Sequence, residues 1–211
     1  MIPMPTDMAL RKFSDELKSY RETWLRDFPG RASFYPQSDC VGQFEKLLGV
    51  GPEAFLRDHY PGHFTASGVV ITNDYQHVLL TLHRKLNLWL QLGGHADGEC
   101  DLKEVAIKEL EEESGISGVV PTSLASHWSG RQDSPNVFDL DIHEIPARLN
   151  EPLHYHFDVR FLFKVPHRVD VVISEESTDL KWFEVAEAYQ LTDEPSTHRL
   201  FDKIQFLEKK L

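Results

Sequence analysis

Glu109, Glu112 and Glu113 stand at i, i+3 and i+4 in the stretch GGHADGECDLKEVAIKELEEESGI, which runs from Gly93 to Ile116. On a helix that spacing points all three carboxylates from one face into a shared volume, where they repel one another unless a cation joins them. Oxygen-only ligands suit a hard divalent ion, and Mg²⁺ takes a few carboxylates, keeps waters and draws its other ligands from substrate phosphates. The chemistry indicated is that of a metal ion and a phosphate-bearing small molecule. Acids at a helix C-terminus also oppose the macrodipole, at ~0.3–1 kcal/mol each when exposed, so a solvated face alone does not account for them.

The elements that must position these acids read off the same stretch. Asp101 and Glu104 are spaced as a capping box, and Leu102, Val105, Ala106 and Leu110 form the apolar stripe of one helix. Gly115 falls where a left-handed C′ residue ends it. Residues 86–92 form an extended run that delivers the chain to Gly93 and Gly94, so strand, glycine turn and helix follow in order. His95 lies inside that turn, either positioning phosphate or bonded to backbone.

These positions resemble the box of the Nudix hydrolases, Gx5Ex7REUxEExGU with U apolar. Gly94 takes the place of the box glycine and Lys108 that of the arginine; Glu109, Leu110, Glu112, Glu113, Gly115 and Ile116 follow on E, U, E, E, G and U. The resemblance spans roughly residues 62–211. It implies an α/β fold, an α/β/α sandwich with a mixed sheet, and Mg²⁺ or Mn²⁺ bound by Glu109, Glu112 and Glu113. The implied activity is attack of water on a diphosphate bond in a nucleoside diphosphate linked to another moiety: an ADP-ribose-like, nucleotide or dinucleotide substrate. Two positions depart from the pattern. The loop glutamate is Cys100, so flanking Glu99 or Asp101 is expected to supply that oxygen, Glu99 first; Lys108 replaces the arginine and pairs with a glutamate only as a point charge. The base is expected among Glu109, Glu112 and a downstream glutamate, Glu176 or its neighbour Glu175. Gly93, Gly94, His95, Arg84, His156 and Arg160 are expected to contact substrate. The departures leave an alternative, a catalytically weakened Nudix-fold ligand-binding or sensor module.

At 211 residues, 41% hydrophobic and 27% charged, the chain can bury one domain of ~150 residues plus an appendage. Its net charge of −12 argues against a nucleic-acid groove, while a metal ion and a few local cations still admit an anionic small substrate. Two cysteines make no disulfide framework, and no signal-like leader or membrane-spanning run stands out. A cytoplasmic protein without membrane partners is the expectation.

Residues 1–61 read as a helical extension. Leu10, Phe13, Leu17, Tyr20 and Trp24 recur at helical intervals over residues 6–28, a second helix covers 41–48, and a short one opens at Pro52. This segment packs on the catalytic domain, packs on a second copy in a homodimer, or covers the cleft. After Pro61 and Gly62, strands are expected at residues 64–72, 77–84, 119–128, 137–145, 154–164 and 180–183, and a terminal helix at 196–211. The pair 137–145 and 154–164 forms an antiparallel hairpin with a polar face of Asp139, Asp141, His143, His154, His156, Asp158 and Arg160. That stripe meets solvent, lines the cleft with Arg160 gripping phosphate, or holds a separate transition metal through His143, His154 and His156. Trp128 and Phe138 stack on a base or fill the core.

Overall fold

The computed structural model describes residues 6–27, 39–122, 137–148, 151–174 and 177–209, with side chains of the first segment described through Thr23. Strand β1, Gly62–Thr72, is buried at every residue, as a strand with neighbours on both edges and cover on both faces must be. On one edge β6, His154–Val165, runs parallel to it from Gly62↔Tyr155 to Thr72↔Val165. The other edge is shared: β4, Leu92–His95, pairs with its first half and β2, His77–His83, with its second, both antiparallel. Strands β3 (Trp89–Leu90) and β7 (Ser177–Glu184) add to β2, and β5 (Val137–Ile145) closes the far edge on β6. The sheet is mixed, and the expected 137–145/154–164 hairpin is β5–β6. The single extended run expected at 86–92 is instead β3 and the start of β4, because the chain leaves β2 at Leu90 and joins β1 at Leu92. Of the strand expected at 119–128, Pro121 bridges Phe163, and residues 123–128 lie outside those described.

Alternation then assigns the faces. Phe64 and Ala66 share one with their register partners Phe157 and Val159; His63, Thr65 and Ser67 share the other with His156, Asp158 and Arg160. Helix α1, Thr6–Asp27, buries Ala9, Phe13, Leu17 and Tyr20; α2, Cys40–Leu48, buries Phe44, and a 3₁₀ turn at Pro52–Phe55 buries Phe55. These meet the Phe64 face: Phe13 stands edge-on to Phe64 at 5.4 Å, Phe55 lies 4.7 Å from Phe64, and Phe44 lies 5.2 Å from Phe157. The N-terminal segment therefore packs on this chain's own sheet. Each aromatic so buried contributes about 1.5–3 kcal/mol. Helix α3, Leu102–Ser114, lies on the same face, where Leu110 and Phe163 close over Gly68 so tightly that a Cβ there would meet them at 3.2–3.3 Å. Helix α5, Pro195–Glu208, brings Arg199 and Lys203 to Asp139 on β5; the one-turn α4, Val185–Ala188, was not anticipated. Among the described residues no helix is long and apolar enough to cross a membrane.

Candidate active site

Helix α3 begins and ends where its sequence places it. Asp101 accepts the Lys103 N–H at 3.2 Å, and Gly115, at φ +73°, returns its N–H to the Glu111 carbonyl at 2.9 Å. The expected capping box does not form, because Glu104 pairs with Lys103 while Glu99 takes the Asp101 N–H at 2.8 Å. Glu99 thus faces the helix N-terminus, and among the described residues it is not gathered with the helical glutamates. Cys100 is buried, with its thiol toward the Gly98 carbonyl.

The other end of α3 carries the acids. Glu113 is buried, and its Oε2 accepts the Gly93 N–H at 2.9 Å. Glu109 lies against Gly94 so closely that a Cβ there would stand 2.6 Å from its carboxyl carbon, and one on Gly93 would stand 2.6 Å from the Ala66 carbonyl oxygen. Close approach to backbone requires the glycine at 93, whereas at 94 the neighbour is the end of a flexible side chain. Glu112 faces outward with 60% of its side chain exposed, and Lys108, one turn earlier, stands 3.6 Å from it. Among the described residues the three carboxylates are not gathered within 4.8 Å of one another. Glu109 and Glu113 still flank the same two glycines, whereas Glu112 points to solvent beside Lys108. An all-carboxylate set of this kind suits Mg²⁺ or Mn²⁺.

Three contacts from the N-terminal segment hold the glycine turn. Gly98 donates its N–H to the Phe55 carbonyl at 2.9 Å, Arg57 Nε donates to Asp97 at 2.6 Å, and Lys12 Nζ lies 3.2 Å from Asp101. Hydrogen bonding to Arg57 keeps the Asp97 carboxyl below its usual range. Asp97 adopts a left-handed conformation, φ +48°, which its short side chain tolerates. Sequence reading missed Lys12 and Arg57, whose partners lie 89 and 40 residues away and leave no local signal.

Other expected contacts fall elsewhere. Arg84 is exposed on the turn after β2 and donates to the Ser177 carbonyl at 3.1 Å. Arg160 is buried with its nitrogens facing Asp158 at 2.8 Å, Asp141 at 3.1 Å and Asp139 at 3.3 Å, so its expected grip on phosphate is corrected: its donors are already engaged. Arg199 and Lys203 complete that cluster on Asp139 at 2.8 and 2.6 Å. Burial pulls Lys203 down to about 8 against the attraction of Asp139. Phe138 is fully buried, so it fills the core rather than stacking on a base. Trp128, Glu175 and Glu176 lie outside the described residues.

His95 and His156 do meet, together with His63, which sequence reading had not singled out. Their ring centroids are 4.9–5.3 Å apart, and one ligand nitrogen from each lies within 4.8 Å of the others. The trio expected from spacing, His143, His154 and His156, is not the one assembled; His143 bonds Asp141 instead, at 3.1 Å. Burial lowers His63 to about 4 and His156 to about 2, and it lowers His95 as well, so all three rings are neutral at pH 7.

Glycine turn, acidic helix and mixed sheet between helices define a class. Residues 62–203 match the model of the NUDIX domain, so the chain belongs to the Nudix family and its class is that of the Nudix-type hydrolases. The E. coli dihydroneopterin triphosphate pyrophosphohydrolase shares its fold, with a TM-score of 0.52 and 20% identity over 68% of this chain and 94% of that one. A C. elegans Ap4A hydrolase in a binary complex gives 0.48 and 20% over 68% and 95%. The NUDIX domain of Shewanella oneidensis NrtR complexed with ADP ribose gives 0.48 and 19% over 68% and 86%. No curated protein matches the chain.

Proposed function

We propose that this chain hydrolyses a diphosphate bond in a nucleoside diphosphate linked to a second moiety, with Mg²⁺ or Mn²⁺ held by Glu109, Glu112 and Glu113. The observation that carries this reading is the seat of Glu109 and Glu113 against Gly93 and Gly94, where no side chain separates carboxylate from turn backbone. A divalent ion bound there supplies charge stabilisation for phosphoryl oxygens and a water of lowered pKa. Glu109, Glu112 or Glu176 would accept the proton of the attacking water. The Gly93 N–H fixes the Glu113 carboxylate, and Arg57 and Lys12 keep the turn from drifting off the helix. In this reading residues 62–211 form the hydrolase domain, and residues 1–61 form an extension that braces its catalytic turn.

One observation favours the sensor alternative: Glu112 faces solvent beside Lys108, and the loop position of the box is a buried cysteine. A substrate panel separates the two readings. The protein is incubated with Mg²⁺ or Mn²⁺ and ADP-ribose, dinucleoside polyphosphates, NADH, nucleoside triphosphates or nucleotide sugars, and products are measured. Turnover of one of these that falls about 100-fold or more in Glu112→Gln supports the hydrolase. Tight binding without products supports the sensor, and neither turnover nor binding overturns both.

A further inference from the structure

The histidine trio lies on the reverse face of the strand that carries the glycine turn. His63 and His156 are register partners across β1 and β6, and His95 sits opposite Thr65, the next residue on the His63 face. Gly94, one residue earlier on β4, points the other way, toward Glu109. The trio and the acidic helix are therefore on opposite sides of one sheet.

Two of the three rings are left unsatisfied. His63 is 1% exposed and its Nδ1 faces the His59 carbonyl at 3.3 Å, so Nδ1 carries the proton and Nε2 keeps its lone pair. Among the described residues that Nε2 is buried without a partner, and the same holds for His156 Nε2. A buried polar atom without a partner costs about 1–3 kcal/mol, and two such nitrogens in one cluster of imidazoles suit a shared Lewis acid. An outer layer is present as well. The His59 carbonyl orients His63, and His154 stacks on His63 at 5.2 Å while its own Nδ1 bonds the Pro152 carbonyl at 2.9 Å. Carbonyls that hold the second ring nitrogen are the usual means of fixing tautomer and orientation in histidine metal sites.

We propose that His63, His95 and His156 bind a divalent transition-metal ion of the zinc class, at a site separate from the acidic one on α3. Three neutral nitrogens suit Zn²⁺ and its transition-metal neighbours, whereas a hard ion such as Mg²⁺ takes oxygen. Zinc–nitrogen bonds of about 2.0–2.1 Å place three nitrogens roughly 3.3 Å apart, so the ring nitrogens, now within 4.8 Å of one another, draw together on the ion and leave a fourth position for water. The bound ion ties β4, and with it Gly93 and Gly94, to β1 and β6. The site does not depend on the hydrolase reading.

The test uses the full chain, stripped with a chelator and titrated with Zn²⁺ against a chromophoric indicator, with bound metal counted by mass spectrometry. One zinc per chain is expected, with a rise in Tm on addition of Zn²⁺. His63→Gln and His156→Gln are each expected to weaken binding about 100-fold or more, and Glu112→Gln to leave it unchanged. Absence of stoichiometric zinc, or affinity in both histidine variants equal to that of the unaltered chain, overturns the site. Should those variants fail to fold, Co²⁺ added to the unaltered chain decides: intense four-coordinate visible bands support the site, and weak six-coordinate ones overturn it.

Discussion

Asp139, Asp141, Asp158 and Arg160 continue the same sheet face as His63 and His156, yet the two ends of that stripe are stabilised by different means. At the acidic end three carboxylates meet three cations, Arg160 from the sheet and Arg199 and Lys203 from α5. Asp139 alone accepts from all three, and Arg199 and Lys203 hold its carboxyl below the usual range against burial. Thr65 and Ser67 complete Asp158 at 3.2 and 2.8 Å. At the histidine end, among the described residues, no carboxylate bonds the trio, its rings are neutral, and two buried ring nitrogens have no partner. One stripe can thus be buried either by importing opposite charge from a distant helix or by using a residue that discharges itself. Only the second leaves ligand atoms over.

Breaking the acidic end gives the largest effect. Asp139→Asn leaves Arg199 and Lys203 without their shared carboxylate in a site with no access to water, and removing one partner from such a buried set costs about 3–5 kcal/mol. Urea unfolding should show that loss. A change below about 1 kcal/mol would mean that Asp141 and Asp158 absorb both cations, and the contrast between the ends would then be one of charge number alone.

How much of this was legible follows the range of each interaction. Helix α3, its Gly115 stop, the apolar stripe of α1 and the β5–β6 hairpin are encoded within a few residues and were read directly. The role of the stripe was not legible. Its alternation admits solvent, cleft or metal but gives no sign of a buried ion cluster, because Arg199 and Lys203 lie 60 and 64 residues from Asp139 and present themselves as ordinary charges on a terminal helix. Likewise the spacing of His154 and His156 identified a cluster, while His63 and His95 join it through strand pairing, which single-strand periodicity does not report. The glycine turn showed the reverse pattern. Its glycines and the helix after it stand out in the box, whereas its braces Lys12 and Arg57 leave no local signal.

Acid titration sharpens the contrast at smaller amplitude. His63 and His156 are held by burial near 4 and 2, against 6.5 in the unfolded chain. Between pH 6.5 and 4 the unfolded chain therefore binds protons that the folded one refuses, and stability falls as pH falls, by about 1.4 kcal/mol per pH unit for each group. His59, His95, His143 and His154 surround the pair and supply no carboxylate of their own. Asp139 and Asp141 have depressed values, so their contribution is intact above pH 3.8 and is lost only below it. In chelator-treated protein, urea stability should drop by about 3 kcal/mol between pH 6.5 and 5, and His63→Gln should remove about half of that slope. A flat profile in the unaltered chain would place charge inside the histidine end and erase the distinction.

The smallest effect tests where one end stops and the other begins. His143 faces both: its Nδ1 lies 3.1 Å from Asp141, and its ring lies 5.3 Å from that of His156. Its side chain is 41% exposed, and Asp141 already receives Arg160 at 3.1 Å and Arg199 at 3.2 Å. Losing a third, solvent-screened partner should cost little, so His143→Gln is expected to shift unfolding by no more than about 0.5 kcal/mol at pH 7. A loss above about 1 kcal/mol would make His143 a working member of the ion cluster. The acidic end would then extend to within ring contact of His156, and the neutral trio would have to hold its lone pairs beside a charge that the geometry at Asp141 now keeps to itself.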